Sequence, residues 1–349
     1  MMKILVTGGT GYIGSHTVVE LQNAGFEVVI VDDLSNSKAD IADAIEKITG
    51  TKPLLEVFDL TDREKTGDFF KRHDDLKGVI HFAAKKAVGE SVQKPLLYYR
   101  NNLVSLMNVL EGMIVNNIPN IVFSSSCTVY GQPDELPVSE TAPIKKAESP
   151  YGNTKQISED IIYDTVKVTN VKAIALRYFN PIGAHESALI GELPLGVPDN
   201  LLPFITQTAI GIREKLRVFG DDYNTPDHTA IRDYIHVVDL AKAHVVAVQR
   251  MIERKMKKDF EVFNLGTGNG YSVMKVIKSF EKVTGLKLNY EIVGRREGDV
   301  EQVWADPSFS NKELGWKAEK ELDEMVSSAW KWEKAYRGLS STSPEGPGN

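Results

Sequence analysis

One short stretch, Gly8-Gly9-Thr10-Gly11-Tyr12-Ile13-Gly14, restricts the fold of this chain more than any other. Before it stands the apolar run Lys3-Ile4-Leu5-Val6-Thr7, which has no period-2 alternation and reads as a strand buried on both faces. After Gly14 the chain reads as a helix up to Ala24, ended by Gly25. Glu27-Val28-Val29-Ile30-Val31 then reads as a second strand with Asp32 at its end. In this context of strand, turn, helix, strand and acid, a glycine pattern becomes a dinucleotide site. Glycine closes the turn and lets a pyrophosphate lie against backbone N–H groups at the helix N-terminus. Asp32 is placed to accept hydrogen bonds from an adenosine ribose, and its charge would repel a 2′-phosphate. NAD is therefore expected rather than NADP. The spacing is G-x-x-G-x-x-G rather than the commoner G-x-G-x-x-G. An ordinary glycine-rich turn is the competing reading, and the flanking strands and acid weigh against it.

Further along, strand and helix alternate. Strands are expected over Leu54–Phe58, closed by Asp59, and over Gly78–Ala84, Asn120–Ser126 and Lys172–Arg177. Long helices are expected over Pro95–Val115 and from Ser149-Pro150, where serine suits the N-cap and proline the first helical position. This alternation predicts an α/β fold: a Rossmann-like doubly wound parallel sheet, with ligands beyond the C-terminal strand ends. Gly8, Asp32, Asp59, Ala83 and Ser126 all fall there. After about residue 180 the pattern loosens and prolines interrupt it. We divide the chain into an NAD-binding domain at 1–180, a smaller C-terminal α/β lobe, mainly substrate-binding, at 181–337, and a Gly/Ser/Pro-rich tail at 338–349 expected to be disordered.

The net charge of −7 argues against nucleic acid or an anionic membrane as main partner. Cys127 is the one cysteine, so no intrachain disulfide forms and a reducing, cytoplasmic setting is the simplest fit. There is no apolar run of membrane-spanning length. The first strand begins at once, which leaves no room for a signal peptide. Histidine spacing shows no metal site. His81 reads as packed near the cofactor loop and Cys127 as a small buried residue.

Tyr151-Gly152-Asn153-Thr154-Lys155 carries the catalytic question. A tyrosine and a lysine four apart share one helix face. An ammonium beside the phenol favours phenolate, as does a nearby nicotinamide cation. Bringing a tyrosine from a pKa near 10 to about 7 takes roughly 4 kcal/mol. Spacing alone is weak, since Tyr163/Lys167 and Tyr271/Lys275 share it. Tyr163 lies roughly 18 Å further along the same expected helix, and Tyr271 lies in the second lobe, so packing or surface roles suit both. Tyr151 differs. It opens the helix after the strand that ends in Ser124-Ser125-Ser126, so hydroxyl, phenol and lysine converge at the strand-end crevice.

The glycine turn, the Ser126/Tyr151/Lys155 set and Arg177-Tyr178-Phe179-Asn180 resemble the extended short-chain dehydrogenase/reductase superfamily. Further stretches resemble its UDP-glucose 4-epimerase family: Asp33-Leu34-Ser35-Asn36-Ser37, Lys86 to Val92, Phe179 to His185, Arg232 to Val237 and Arg295-Arg296-Glu297-Gly298-Asp299. The likeness runs from about residue 2 to 337. It implies reversible inversion at C4 of a UDP-hexose. Tyr151 would act as base on the 4-hydroxyl, the C4 hydride would pass to tightly bound NAD, and the 4-keto sugar would swing before both return. Catalytic roles fall to Ser126, Tyr151 and Lys155. The cofactor would be held by Gly8, Gly11, Tyr12, Ile13, Gly14, Asp32, Asn36, Ser37, Asp59, Leu60, Phe82, Ala83, Lys86, Asn101, Ser124, Tyr151, Lys155 and Tyr178. The UDP-sugar would meet Ser126, Tyr151, Asn180, Asn200, Leu201, Phe219, Arg232, Tyr234, Arg296, Asp299 and Val303. In this family the position of Val303 borders the hexose, and a residue smaller than tyrosine there goes with tolerance of N-acetylhexosamines. The resemblance also implies a homodimer through the two long helices.

Blander readings stand beside these. Arg232 and Arg296 could be surface cations, Asn180 a strand-end turn residue, and Lys85 could take the place of Lys86. Other functions also stay open: a UDP-glucuronate 4-epimerase or decarboxylase, or a non-enzymatic NAD-binding regulator on the same fold. A 4,6-dehydratase would need an Asp-Glu pair before Val129-Tyr130-Gly131. Cys127-Thr128 stands there instead.

Overall fold

The computed structural model describes residues 1–296 and 300–339. From the N-terminus, strand β1 (Lys3–Thr7) leads into helix α1 (Tyr12–Asn23) and β2 (Glu27–Asp32). Then come α2 (Ile41–Thr49), β3 (Leu54–Val57), α3 (Arg63–Arg72), β4 (Gly78–His81), α4 (Val88–Gln93), α5 (Pro95–Val115) and β5 (Asn120–Ser126). A 3-10 turn over Cys127–Tyr130 precedes α6 (Pro150–Val168), β6 (Lys172–Tyr178) and the short β7 (Asn180–Ile182). The rest comprises α7 (Leu201–Ala209), β8 (Leu216–Phe219), β9 (Ile231–His236), α8 (Val237–Ile252), β10 (Phe260–Leu265) and β11 (Gly270–Ser272). It ends with α9 (Val273–Thr284), β12 (Tyr290–Val293), β13 (Gln302–Val303), α10 (Ser308–Leu314) and α11 (Leu322–Tyr336).

Seven strands form one sheet in the order β10-β6-β5-β4-β1-β2-β3, and every pairing in it is parallel. The unbroken apolar runs are explained by burial on both faces. Ile4, Val6, Val28 and Ile30 pack on one side in a cluster that includes Val18, Leu21, Leu240 and Val248 of α1 and α8. Leu5, Val29, Val31, Val79 and Ile121 turn to the other side, with Phe69, Leu106, Val109 and Ile162 of α3, α5 and α6. Neighbours in sequence thus serve opposite cores, as the two-residue repeat of a strand requires. The strand order reverses between β1 and β4, and that reversal opens the crevice in which such folds bind ligands.

The expected helices at 95–115 and from 150 are both present, the second capped by the Ser149 hydroxyl accepting from Gly152 N at 3.1 Å. Several boundaries differ from the sequence reading: β2 runs on to Asp32, β3 stops at Val57 and β6 runs on to Tyr178. Helix α1 begins at Tyr12, inside the glycine stretch, rather than after Gly14. Strand β4 stops at His81 and does not run to Ala84. There the chain bends towards β1: Phe82 N donates to Thr7 O at 3.1 Å and Ala83 N to Thr7 Oγ1 at 3.2 Å. The break at residue 180 does not follow the sheet, because β10 pairs with β6 along Phe260–Leu265 and α8 packs against α1. Both elements join the first domain through partners distant in sequence.

The second lobe is small. β9 joins β11 and β13, β7 pairs with β9, and β8 pairs with β12. Helices α7, α9 and α11 cover it through Ile205, Ile277, Phe280, Met325 and Val326. The tail residues 340–349 lie outside the described residues.

One packing contact can be tested directly. Gly112 of α5 abuts Phe70 of α3, and a methyl at position 112 would sit 2.2 Å from the Phe70 ring. Gly112→Ala should therefore lower stability by about 1–3 kcal/mol despite alanine's better helix propensity. A lower urea midpoint at constant m-value would register it, and an unchanged midpoint would show that Phe70 moves aside freely.

Candidate active site

The glycine turn is built by close approach. Gly8 has φ +69°, and a Cβ there would meet Ala83 N at 3.0 Å. A Cβ on Gly14 would lie 2.1 Å from the Gly8 carbonyl oxygen. Only glycine lets helix α1 start this near the β1 turn, with its N-terminal amides turned to the crevice. Asp32 is buried. Its carboxylate accepts from Thr10 N at 3.1 Å, Leu34 N at 2.9 Å and Ser37 Oγ at 3.0 Å. The acid thus also fastens the loop that carries Ser37 and the exposed Asn36. Asp59 is exposed beyond β3, and the Leu60 carbonyl accepts from Asn108 Nδ2 at 2.8 Å. Phe82 rests on the His244 ring, centroids 4.7 Å apart. A glycine cradle beside a buried acid fits the two phosphates and ribose of a dinucleotide. Tyr12 faces the second lobe, its hydroxyl donating to Gly183 O at 2.7 Å.

Across the crevice, β5 and α6 bring the catalytic candidates together. Ser126 ends β5, and its Oγ accepts from Thr128 N at 3.2 Å, which leaves the hydroxyl hydrogen free to donate. A Ser126 hydrogen bond to Tyr151 favours the phenolate. Lys155 is buried, donates to Ser124 O at 2.5 Å and lies 5.8 Å from the Tyr151 ring centre. Ser124 Oγ and Tyr178 Oη share a 2.5 Å hydrogen bond. Burial holds the Tyr151 phenol above its ordinary range and pulls Lys155 down to about 7, with Glu159 opposing. Within the protein alone desolvation outweighs the ammonium, and a phenolate needs the further cation of an oxidised nicotinamide. The other two pairs are spectators: Lys167 stands 3.8 Å over the exposed Tyr163 ring, and Lys275 lies 4.7 Å over Tyr271.

The sugar-nucleotide side is laid out by three adjacent strands. Asn180 is registered with Tyr234, and Val303 with Arg232. Arg232 donates to Ile231 O at 2.8 Å. Val303 is buried in a cluster with Val129, Tyr130 and Phe179. Arg296 lies 5.6 Å from the Phe219 ring, whose face is exposed. Asn200 caps α7 just before Leu201, and its Nδ2 donates to Glu192 Oε1 at 2.5 Å. Lys86, exposed, reaches the same oxygen at 3.4 Å, so this lysine and not Lys85 faces Asn200. Asn101 is half-buried on α5, and its neighbour Asn102 is bonded to both Lys85 backbone groups. Asp299 lies outside the described residues.

Several contributors escaped sequence reasoning. Thr128 Oγ1 is buried beside Gly152 with no hydrogen-bond partner among the described residues. Asp233, between Arg232 and Tyr234, is fully buried and accepts from Thr267 N, Thr267 Oγ1, Gly268 N and Ala305 N at 2.7–3.1 Å. It ties β9 to the loop before β11 and to the segment after Val303. Its position in Arg232-Asp233-Tyr234 gave no signal of this, because neighbouring strand residues face opposite sides. His81 shares a 2.9 Å hydrogen bond with Thr7 Oγ1, a packing role as expected. Cys127 is part-buried, and burial pushes its thiol up to about 12.

A family model described as GDP-mannose 4,6 dehydratase matches residues 5–329. UDP-glucose 4-epimerase of Mus musculus is 48% identical over 341 residues, covering 96% of this chain and 97% of that protein. The structure of UDP-glucose-4-epimerase from Stenotrophomonas maltophila, with bound NAD and formylated UDP-arabinopyranose, has a TM-score of 0.93 at 46% identity and covers 97% of this chain and 99% of that one. That from Bifidobacterium longum, in complex with NAD+ and UDP, has a TM-score of 0.92 at 46% identity and covers 96% and 99%.

Three of the four buried histidines give a pH prediction. Burial lowers His16 and His81 to about 3 and His244 to about 4, against about 6.5 when unfolded. Below about pH 6.5 the unfolded chain binds these protons and the folded one does not, so stability falls as pH falls. Each histidine contributes a loss on the order of 2 kcal/mol by pH 5. Urea midpoints should drop between about pH 7.5 and 5, and a flat profile would mean the rings take up protons within the fold.

Proposed function

This chain belongs to the UDP-glucose 4-epimerase family, and from that premise we propose that it inverts C4 of UDP-hexoses reversibly with tightly held NAD. One observation carries the reading: Ser126, Tyr151 and Lys155 meet at the strand-end crevice that also holds the glycine cradle and Asp32. The glycine cradle and Asp32 would hold NAD, which would supply the acceptor and the returning donor for the C4 hydride. Tyr151 takes the proton of the 4-hydroxyl and later returns it. Ser126, whose oxygen already accepts from Thr128 N, directs its hydrogen to the 4-oxygen. Lys155 keeps two N–H groups beyond the one spent on Ser124 O, and these suit the nicotinamide ribose and the phenolate.

Inversion requires a 4-keto sugar that turns over while its nucleotide stays fixed. Arg232, Arg296, Asn180 and Asn200 supply donors for the diphosphate, and Phe219 an aromatic face for the uracil. Arginine's planar fork suits phosphate oxygens. The dehydratase in the family model's description loses water across C5 and C6, which calls for an acid and a base. Cys127 and Thr128 occupy that place and cannot do carboxylate chemistry. Both tyrosine and lysine are present, which favours an enzyme over a non-catalytic NAD sensor. A homodimer belongs to the same reading. Leu96, Leu97, Met107, Ile114 and Val115 of α5 are exposed beside Tyr163 and Val168 of α6, apolar area that a second copy would cover. A cytoplasmic location rests on the single cysteine. Among the described residues no helix is long and apolar enough to cross a membrane.

Breadth of substrate turns on Val303. Valine leaves out the volume of an aromatic ring beside the hexose, so the pocket accommodates a 2-acetamido group, and we include UDP-N-acetylglucosamine and UDP-N-acetylgalactosamine among the substrates. Its packing against Val129, Tyr130 and Phe179 is the opposing consideration, because neighbours could fill the same space.

The pure protein should convert UDP-galactose to UDP-glucose with no added cofactor and release NAD on denaturation. Tyr151→Phe should cut turnover by orders of magnitude while UDP-sugar binding survives. Near-full activity in that variant would end the general-base assignment.

Val303→Tyr should suppress turnover of the N-acetylated pair while sparing the plain hexoses. Equal loss of both activities, or no wild-type turnover of UDP-N-acetylglucosamine, would remove the gate.

A further inference from the structure

Beneath the catalytic residues lies a buried polar network that the mechanism above does not use. Glu159 stands one helical turn beyond Lys155 on α6 and is buried. Its Oε1 accepts from Ser125 Oγ at 2.5 Å and from Arg177 Nε at 2.9 Å, and its Oε2 from Arg177 Nη2 at 2.5 Å. Arg177, on β6, uses Nη1 to donate to Tyr130 Oη at 2.9 Å, and Tyr130 donates to Asn264 Oδ1 at 2.7 Å. One carboxylate therefore joins the helix of Tyr151 and Lys155 to the strand of Ser126. Through Arg177 it also reaches the turn that follows Ser126. Two ions and a phenol would be costly here if they served packing alone, since burial of charge is offset only by complete pairing.

The surroundings of Lys155 show what the pair can do. From α6 it meets Tyr151 and Glu159, from β5 the Ser124 carbonyl and the Phe123 ring at 4.9 Å, from β4 His81, and from β6 Tyr178 through Ser124. His81 is held neutral by burial. Glu159 is the carboxylate whose charge raises Lys155 against its own desolvation. Arg177 faces the far side of that carboxylate, so its charge is largely spent on Glu159.

We propose that Glu159, braced by Arg177, is a positioning residue that keeps Lys155 an ammonium and fixes Ser126 opposite Tyr151. This rests on the reading of Lys155 as the charged partner of the catalytic phenol. Burial pulls the amine down and Glu159 opposes that fall, and a neutral amine neither favours phenolate nor grips a ribose as firmly. Glu159 supplies the missing anion without touching substrate or cofactor.

The test is the pH profile of kcat for the NAD-loaded enzyme with UDP-galactose. Glu159→Gln keeps the shape and removes the charge. It should move the alkaline limb, where Lys155 loses its proton, down by about one pH unit. Glu159→Asp retains the charge and should leave the limb in place while lowering kcat. Should the lone glutamine variant, with an uncompensated guanidinium, fail to fold, the double variant Glu159→Gln/Arg177→Met removes both charges and should show a smaller shift in the same downward direction. A rate loss uniform across pH, with the limb unmoved in whichever of these two folds, overturns the proposal and leaves Glu159 a packing element. Lys155→Met separates the two readings. If it retains near-full turnover, the role of Lys155 itself fails. If it collapses turnover while the glutamine limb stays put, only the inference about Glu159 fails.

Discussion

The contact between the Gly8 carbonyl and Gly14 governs everything built on the first strand. A single methyl at Gly14 would overlap the carbonyl oxygen at 2.1 Å, so the close seating of α1 over the end of β1 depends on its absence. From that seating follow the direction of α1, its packing on one sheet face with α8, and the approach of Ala83 to Gly8. The backbone N–H groups that face a pyrophosphate are those the same geometry leaves uncovered. Fold and cofactor site are therefore one constraint at this point of the chain. A substitution here would damage packing and binding together.

The crevice shows how burial and charge divide their work. Tyr151 and Lys155 are both forced towards neutrality by desolvation, in opposite directions on the pH scale. In a pair left to itself, burial favours the phenol over the phenolate and the amine over the ammonium. On the proposed reading, charges from outside the pair reverse this: the nicotinamide on one side and Glu159 on the other. A base activated only when its cofactor is seated has a useful property, since it does not abstract protons from sugars bound without NAD.

Much of this arrangement was legible in the residues. Strands at 3–7 and 120–126 and the helix at 95–115 were readable because apolar runs bounded by glycine, proline and serine carry strong local signals. The Ser126, Tyr151 and Lys155 cluster followed from the position of one helix after one strand. Other parts were hidden because partners separated in sequence create them. Nothing within Phe260–Leu265 says that it completes a sheet begun at Lys3. Nothing within Ser158-Glu159-Asp160 says that Glu159 faces inward to Arg177, since acids on a helix are usually solvated. The early end of β4 was likewise set by Thr7, across a sheet contact. At Tyr151 spacing shows which charges are near, whereas the burial that raises its phenol is a property of the whole fold.

The seventh strand also bears on how the chain reaches this form. β6 is finished at Tyr178, yet its partner β10 begins only at Phe260, after much of the second lobe has been made. During synthesis the β6 edge, with buried residues on both faces, therefore emerges before the strand that will cover it. An unpaired apolar edge is a template for pairing with other chains. The interval leaves the nascent first half with an uncovered sheet edge. It also means that truncation before residue 260 would not yield an independent cofactor-binding domain, because the missing piece lies at the far end of the message.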